Sequence, residues 1–222
     1  MNPVALFGLA VALGLRHAAD PDHVVAVTAI TARTRRVMPA MWLGVIWGLG
    51  HTVTLFTVGA AIILLNLVVP PRVALTLELG VGLALVVVGL LNLKPPARDG
   101  AMGSDGGARR ERIPAWRAFF VGLVHGLAGS AAVALLVLAT VREPGWACAY
   151  LLLFGLGTLA GMALVTTSLA TPLTAASRRW PRFAHGARFV TGAISLCFGV
   201  WLVYQIGWKD GLFLAVPHWS PR

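Results

Sequence analysis

Charge is scarce in this sequence. Asp, Glu, Lys and Arg make up 12% of its 222 residues while 58% are hydrophobic, and a soluble domain carries about twice that share of charge. The composition is that of an integral membrane protein. Cysteine is scarcer still: Cys148 and Cys197 form no Cys-x-x-Cys pair and sit in or beside apolar runs, where a thiol behaves as a small hydrophobe, so neither is assigned a role. No phosphate-binding P-loop occurs, so ATP use by this chain is not expected. No H-E-x-x-H occurs either, which leaves an intramembrane zinc hydrolase without its general base. Residues 3–15 have the apolar core of a signal peptide but no basic segment before them, so they read as mature sequence.

About 20 apolar residues are needed to cross a bilayer. Six stretches qualify, at roughly 3–31, 39–68, 73–93, 115–141, 146–172 and 187–208. They are separated by breakers: "RTRR" before Pro39, "VVPPR", a Gly-, Pro- and charge-rich linker over 94–114, "VREPG" and "TAASRRWPRFAHGAR". Although the formal charge is +10, thirteen of the basic residues fall in the first, third and fifth loops, against four on the other side and Arg16 within a span. By the positive-inside rule the odd loops are cytoplasmic and both termini lie outside. Nucleic acid is therefore not needed to explain the charge.

"GLRHAADPDHVVAV" at 14–27 aligns without gaps on "GLVHGLAGSAAVAL" at 122–135, pairing His17 with His125 and Asp22 with Ser130. "WGLGHTV" at 47–53 aligns on "FGLGTLA" at 154–160, pairing His51 with Thr158. The third and sixth spans share Gly82/Gly89 against Gly192/Gly199. Three spans per copy is an odd number, so the copies face opposite ways across the membrane, as in many secondary transporters. The expected fold is all-α: a single transmembrane domain over 1–222, with repeats at 1–93 and 115–222 joined by a cytoplasmic, disordered linker at 94–114. Glycines four apart at Gly44/Gly48, Gly122/Gly126 and Gly157/Gly161 permit close helix approach. They predict that the third and sixth spans are peripheral supports.

The polar residues His17, Asp20, Asp22, His23, His51, His125, Ser130 and Thr158 all fall near the middle of their spans. Ionisable groups at that depth line a cavity or pair with one another, and imidazole with carboxylate suits Ni²⁺, Co²⁺ or Zn²⁺. On a straight helix Asp22 lies about 140° and His23 about 240° from His17, so the three cannot meet one ion. Pro21 cannot donate to the carbonyl of His17, and a kink there would let them converge. His17, Asp22, His23 and His51 are the candidate ligands. Asp20 either holds an imidazole tautomer or pairs with Arg16, and His125, Ser130 and Thr158 are candidates for the pathway. Glu78, His185 and His218 read as surface residues.

"RHAADPDH" followed by "LGHTVT" resembles the nickel/cobalt transporter family NiCoT, whose signature is R-H-A-x-D-A-D-H in one helix and L-G-H-S/T in the next. "GLVHGLAGSAA" further resembles the short, urease-accessory-type branch of that superfamily. The resemblance implies that His17, Asp22 and His23 form the metal-recognition motif with His51 as partner, and that Asp20 matches the family's other aspartate. With the six spans read from the sequence, it implies a permease of the bacterial inner membrane that moves Ni²⁺ or Co²⁺ as its substrate, needs no catalytic cofactor and is not an enzyme; the family's classical members have eight spans. Pro21 stands where the family has Ala, and the later acidic motifs are missing. A metal exporter of related architecture and a non-transporting sensor or accessory protein are the alternatives.

Overall fold

In the computed structural model, residues 3–34, 36–94, 114–141 and 143–219 are described. They are helical almost throughout: α1 (Pro3–His17), α2 (Pro21–Thr31), α3 (Val37–Leu64), α4 (Pro71–Leu93), α5 (Ala115–Thr140), α6 (Pro144–Arg179) and α7 (Pro181–Tyr204). A π-helical turn at Gln205–Lys209 follows. Of the linker expected over 94–114, only the two end residues lie within the described residues.

Four helices among the described residues are long and apolar enough to cross a membrane, and α1 with α2 makes a fifth span if the bent pair counts as one. The chain is thus a multi-pass helical membrane protein. The remaining expected span, 115–141, coincides with α5, whose Ala115–Ala128 segment is an apolar helix. One expected loop is absent. "TAASRR" continues α6 through Pro172 to Arg179, and Trp180 alone separates α6 from α7. Alanine and arginine there are strong helix formers, so the local preference overrides a reading based on charge and proline.

The first span breaks between Ala18 and Pro21. Proline restricts the residue before it to extended backbone, and Asp20 has φ −61° and ψ 146°. Pro21 then starts α2, where its missing N–H costs nothing, and the two segments meet at 53°.

Backbones approach closely where glycines face them. A Cβ on Gly14 would strike the Phe154 carbonyl, and one on Gly122 the Trp47 carbonyl. A Cβ on Gly157 would strike the Val11 carbonyl, and one on Gly50 the Phe119 carbonyl. In the register of the internal alignment these are two contacts, each made twice. They seat α1 on α6 and α5 on α3. α3 and α6 run antiparallel, with Gly44 against Thr166 and Gly155 against Thr52, whose hydroxyl donates to the Gly155 carbonyl at 2.9 Å.

α4 and α7 pair at the edge of the bundle, where Gly82 meets Gly199 and Gly89 meets Gly192. Ser195 donates to the Leu85 carbonyl between them. At one end, Arg188 Nε donates to the Asn92 carbonyl at 3.1 Å and Nη2 to the Lys94 carbonyl at 2.7 Å, while Arg33 reaches the Leu91 carbonyl. These cations satisfy the last carbonyls of α4 and complement its dipole. Asn92 Nδ2 donates to the Ala29 carbonyl at 2.6 Å, tying α2 to the same end.

Leucine at Gly122 would overpack the α3–α5 contact, a change that costs about 1–3 kcal/mol in a close-packed core. Gly122→Leu is therefore expected to lower the unfolding temperature of the detergent-solubilised protein. Gly8→Ala, at a glycine with open space around it, is expected not to lower it.

Candidate metal centre

The centre is built at the break. His17 is the last residue of α1, Asp22 and His23 lie in the first turn of α2, and His51 comes from the middle of α3. Because the helix axis turns between them, His17 and His23 meet edge-on with ring centroids 4.8 Å apart. His51 completes a triangle, 5.2 Å from each. One nitrogen from each of the three rings lies within 4.8 Å of the other two. Ligand bonds to such a cation are about 2.0–2.1 Å, so modest inward rotation of the rings closes the triangle on one ion.

Hydrogen bonds decide which nitrogens face inward. His17 Nδ1 donates to Asp20 Oδ2 at 2.7 Å, and His23 Nδ1 donates to Asp22 Oδ1 at 3.2 Å. Each bond leaves Nε2 as the atom with the free lone pair. Nε2 of His17, Nε2 of His23 and both nitrogens of His51 are buried with no hydrogen-bond partner. Buried polar atoms are nearly always paired, and one unpartnered nitrogen from each of three converging rings is the chemistry of a cation site.

Asp22 lies one layer out from the converging group. Its carboxylate sits on the outer nitrogen of His23, and its other oxygen is 3.6 Å from His125 Nε2. The bend that brings the rings together turns this side chain onto them. Asp20 pairs with His17, and the side chain of Arg16 is exposed. His125 is buried on α5, its ring 5.1 Å from that of His23. Thr158 is buried but spends its hydroxyl on the Phe154 carbonyl of its own helix. The side chain of Ser130 lies outside the described residues, as does that of His185.

Two aromatic residues close the centre, and neither is prominent in the polar pattern. Trp47 stacks on His23 at 5.8 Å and meets His125 edge-on at 5.1 Å. Phe154 lies 5.5 Å from His17. Their signal was the internal alignment, which pairs them at the first position of "WGLGHTV" and "FGLGTLA". Away from the centre, Glu78 accepts a hydrogen bond from Trp219 Nε1 at 2.8 Å and so is engaged by the tail rather than only by solvent.

The model of the family described as HupE / UreJ protein matches residues 2–206. The chain belongs to the HupE / UreJ protein family. It is 35% identical over 218 residues to the urease accessory protein UreH of Bacillus sp. (strain TB-90), covering 95% of each chain. It is 25% and 23% identical to the Arabidopsis thaliana chloroplast proteins FOR GROWTH AND FERTILITY 1 and 2, with 82% of this chain matched to 54% and 51% of theirs. No solved structure matches. As a HupE / UreJ protein the chain is a membrane protein and not an enzyme. The family shown is this one, and the broader nickel/cobalt transporter resemblance is narrowed accordingly.

Outer partners of metal-bound imidazoles set ring orientation, and their loss costs about 10–100-fold in affinity. Asp20→Asn is expected to weaken binding of a divalent transition-metal ion by that factor in equilibrium titration of the purified protein. An unchanged affinity would show that the His17–Asp20 bond does not orient a ligand.

Proposed function

We propose that this HupE / UreJ protein is a permease that carries Ni²⁺ into the cell across the bacterial cytoplasmic membrane, with Co²⁺ the nearest competitor. His17, His23 and His51 hold the dehydrated cation, while Asp20 and Asp22 fix the rings and supply negative charge. The observation that carries this reading is the convergence of unpartnered, buried imidazole nitrogens from α1, α2 and α3. An all-nitrogen set without thiolate suits Ni²⁺ better than a soft ion. The relative named as a urease accessory protein fits a nickel cargo, since urease is a nickel enzyme.

The proposed architecture is six spans in two inverted three-helix repeats, with both termini outside and the arginine-clamped end of α4 in the cytoplasm. The doubled contacts support it: Gly14 on Phe154 is matched by Gly122 on Trp47, and Gly157 on Val11 by Gly50 on Phe119. Transport proceeds by alternating access, the two halves rocking about a fixed site near the midplane. The name of the same relative also favours a second reading, an accessory protein that binds metal without moving it.

Flux separates the two. Proteoliposomes of the wild-type chain are expected to take up radiolabelled Ni²⁺ at a rate that falls at least tenfold in His17→Ala and in His51→Ala. Wild-type binding without flux would leave the accessory reading, and flux unchanged in both variants would remove the cation from this site.

A further inference from the structure

We infer that Trp47 and Phe154 are the two gates of the permeation path, one on each side of the histidine cluster. The inference rests on the transport reading above and adds the moving parts to it. α3 and α6 run antiparallel across the centre, with Gly48 against Met162 and Thr52 against Gly155. Trp47 therefore lies between His51 and the end of the bundle where α3 begins at Val37 and α6 ends at Arg179. Phe154 lies between the cluster and the opposite end, where α6 begins at Pro144.

The two rings are equivalents in the internal alignment, and so are the imidazoles they touch: Trp47 meets His125, and Phe154 meets His17. Each is also the edge of an apolar layer. Phe154 packs in the cluster that contains Leu6, Leu55 and Leu151, and Trp47 in the one that contains Val27, Ile30 and Met162. Neither apolar cluster offers a dehydrated cation a charged or imidazole ligand among the described residues, so the path on each side opens only when the ring moves.

The two sides differ in readiness. Trp47 is buried and its indole N–H has no partner, an uncommon state for a tryptophan in a core. Beside it runs a crevice, too narrow to hold a water molecule, between α2, α3 and α6. Its walls include Thr31 and Thr166, whose hydroxyls donate to carbonyls of their own helices and keep lone pairs to accept. Parting of α2 from α6 would widen this crevice enough to admit the indole, pair its N–H and clear the route towards the Val37 end. Phe154 has no polar handle, and its neighbours in that cluster are apolar apart from Tyr150. Of the two gates, Trp47 is accordingly the one whose displaced position offers its side chain a hydrogen bond.

The test places a reporter inside the closed compartment: His51→Cys in a chain whose Cys148 and Cys197 are replaced by Ser. It is reconstituted in one orientation and treated with a membrane-impermeant thiol reagent from each face in turn. The reporter alone is expected to label slowly from both faces. Adding Trp47→Ala is expected to speed labelling at least tenfold from the Val37 face only, and adding Phe154→Ala likewise from the Pro144 face only. Trp47→Phe, which keeps a ring, is expected to stay closed, and Trp47→Leu serves if the alanine variant fails to fold. Unchanged rates, or acceleration from the same face in both variants, would overturn the gates. Ni²⁺ flux through the unsubstituted chain is measured in parallel: sided labelling without flux removes the transport reading, whereas flux with unsided labelling removes the gates.

Discussion

The structure depends on one interruption of one helix. Had the first span continued unbroken through residue 20, His17 and His23 would point about 120° apart around its axis and no common ion could reach both. Pro21 withholds the N–H that would continue the ladder, Asp20 adopts extended backbone, and the 53° bend brings the two rings together edge-on. Both arms of the bend are anchored separately. α1 is seated on α6 through Gly14, Gly157 and Gly161, and α2 is tied to α4 by the Asn92 amide on the Ala29 carbonyl. The angle is thus set by packing on either side rather than by the proline alone.

Ionisable groups within a span are costly, on the order of 3 kcal/mol each by insertion scales. Around the break they gather in one layer, where two carboxylates meet three of the four imidazoles and apolar clusters lie to either side. Nε2 of His17, Nε2 of His23 and the nitrogens of His51 are left buried without a hydrogen-bond partner, and one nitrogen of each ring lies within 4.8 Å of the others. That arrangement is poor for stability, and its natural explanation is a ligand that supplies what the protein withholds. The edge pair α4 and α7 contributes no side chain to the converging group. Its glycine contacts and arginine clamp brace α2, and through α2 the centre.

The kink was legible because a proline between two histidines has a single physical consequence. Close approach at Gly122 and Gly157 was legible for the same kind of reason, since glycine spaced by four on an apolar helix is there to admit a neighbour. The directions of the carboxylates were not. Asp20 and Asp22 flank the proline, so their side-chain headings depend on the torsions at the break, and sequence spacing on a regular helix says nothing of those. The continuation of α6 past Pro172 was hidden by "SRRWPR", whose charge and proline read as a loop although most of it is helical. Trp47 and Phe154 were visible only as a pair, through the repeat. Each alone is one more aromatic in an apolar run.

The central claim is that three imidazoles, from α1, α2 and α3, hold one cation. X-ray absorption of the purified protein loaded with one equivalent of Ni²⁺ tests it most directly, because imidazole rings give a distinctive outer-shell scattering. The account predicts three histidine nitrogens and no sulfur, falling to two in His51→Ala. A sulfur ligand, or an imidazole count that His51→Ala leaves unchanged, would contradict it.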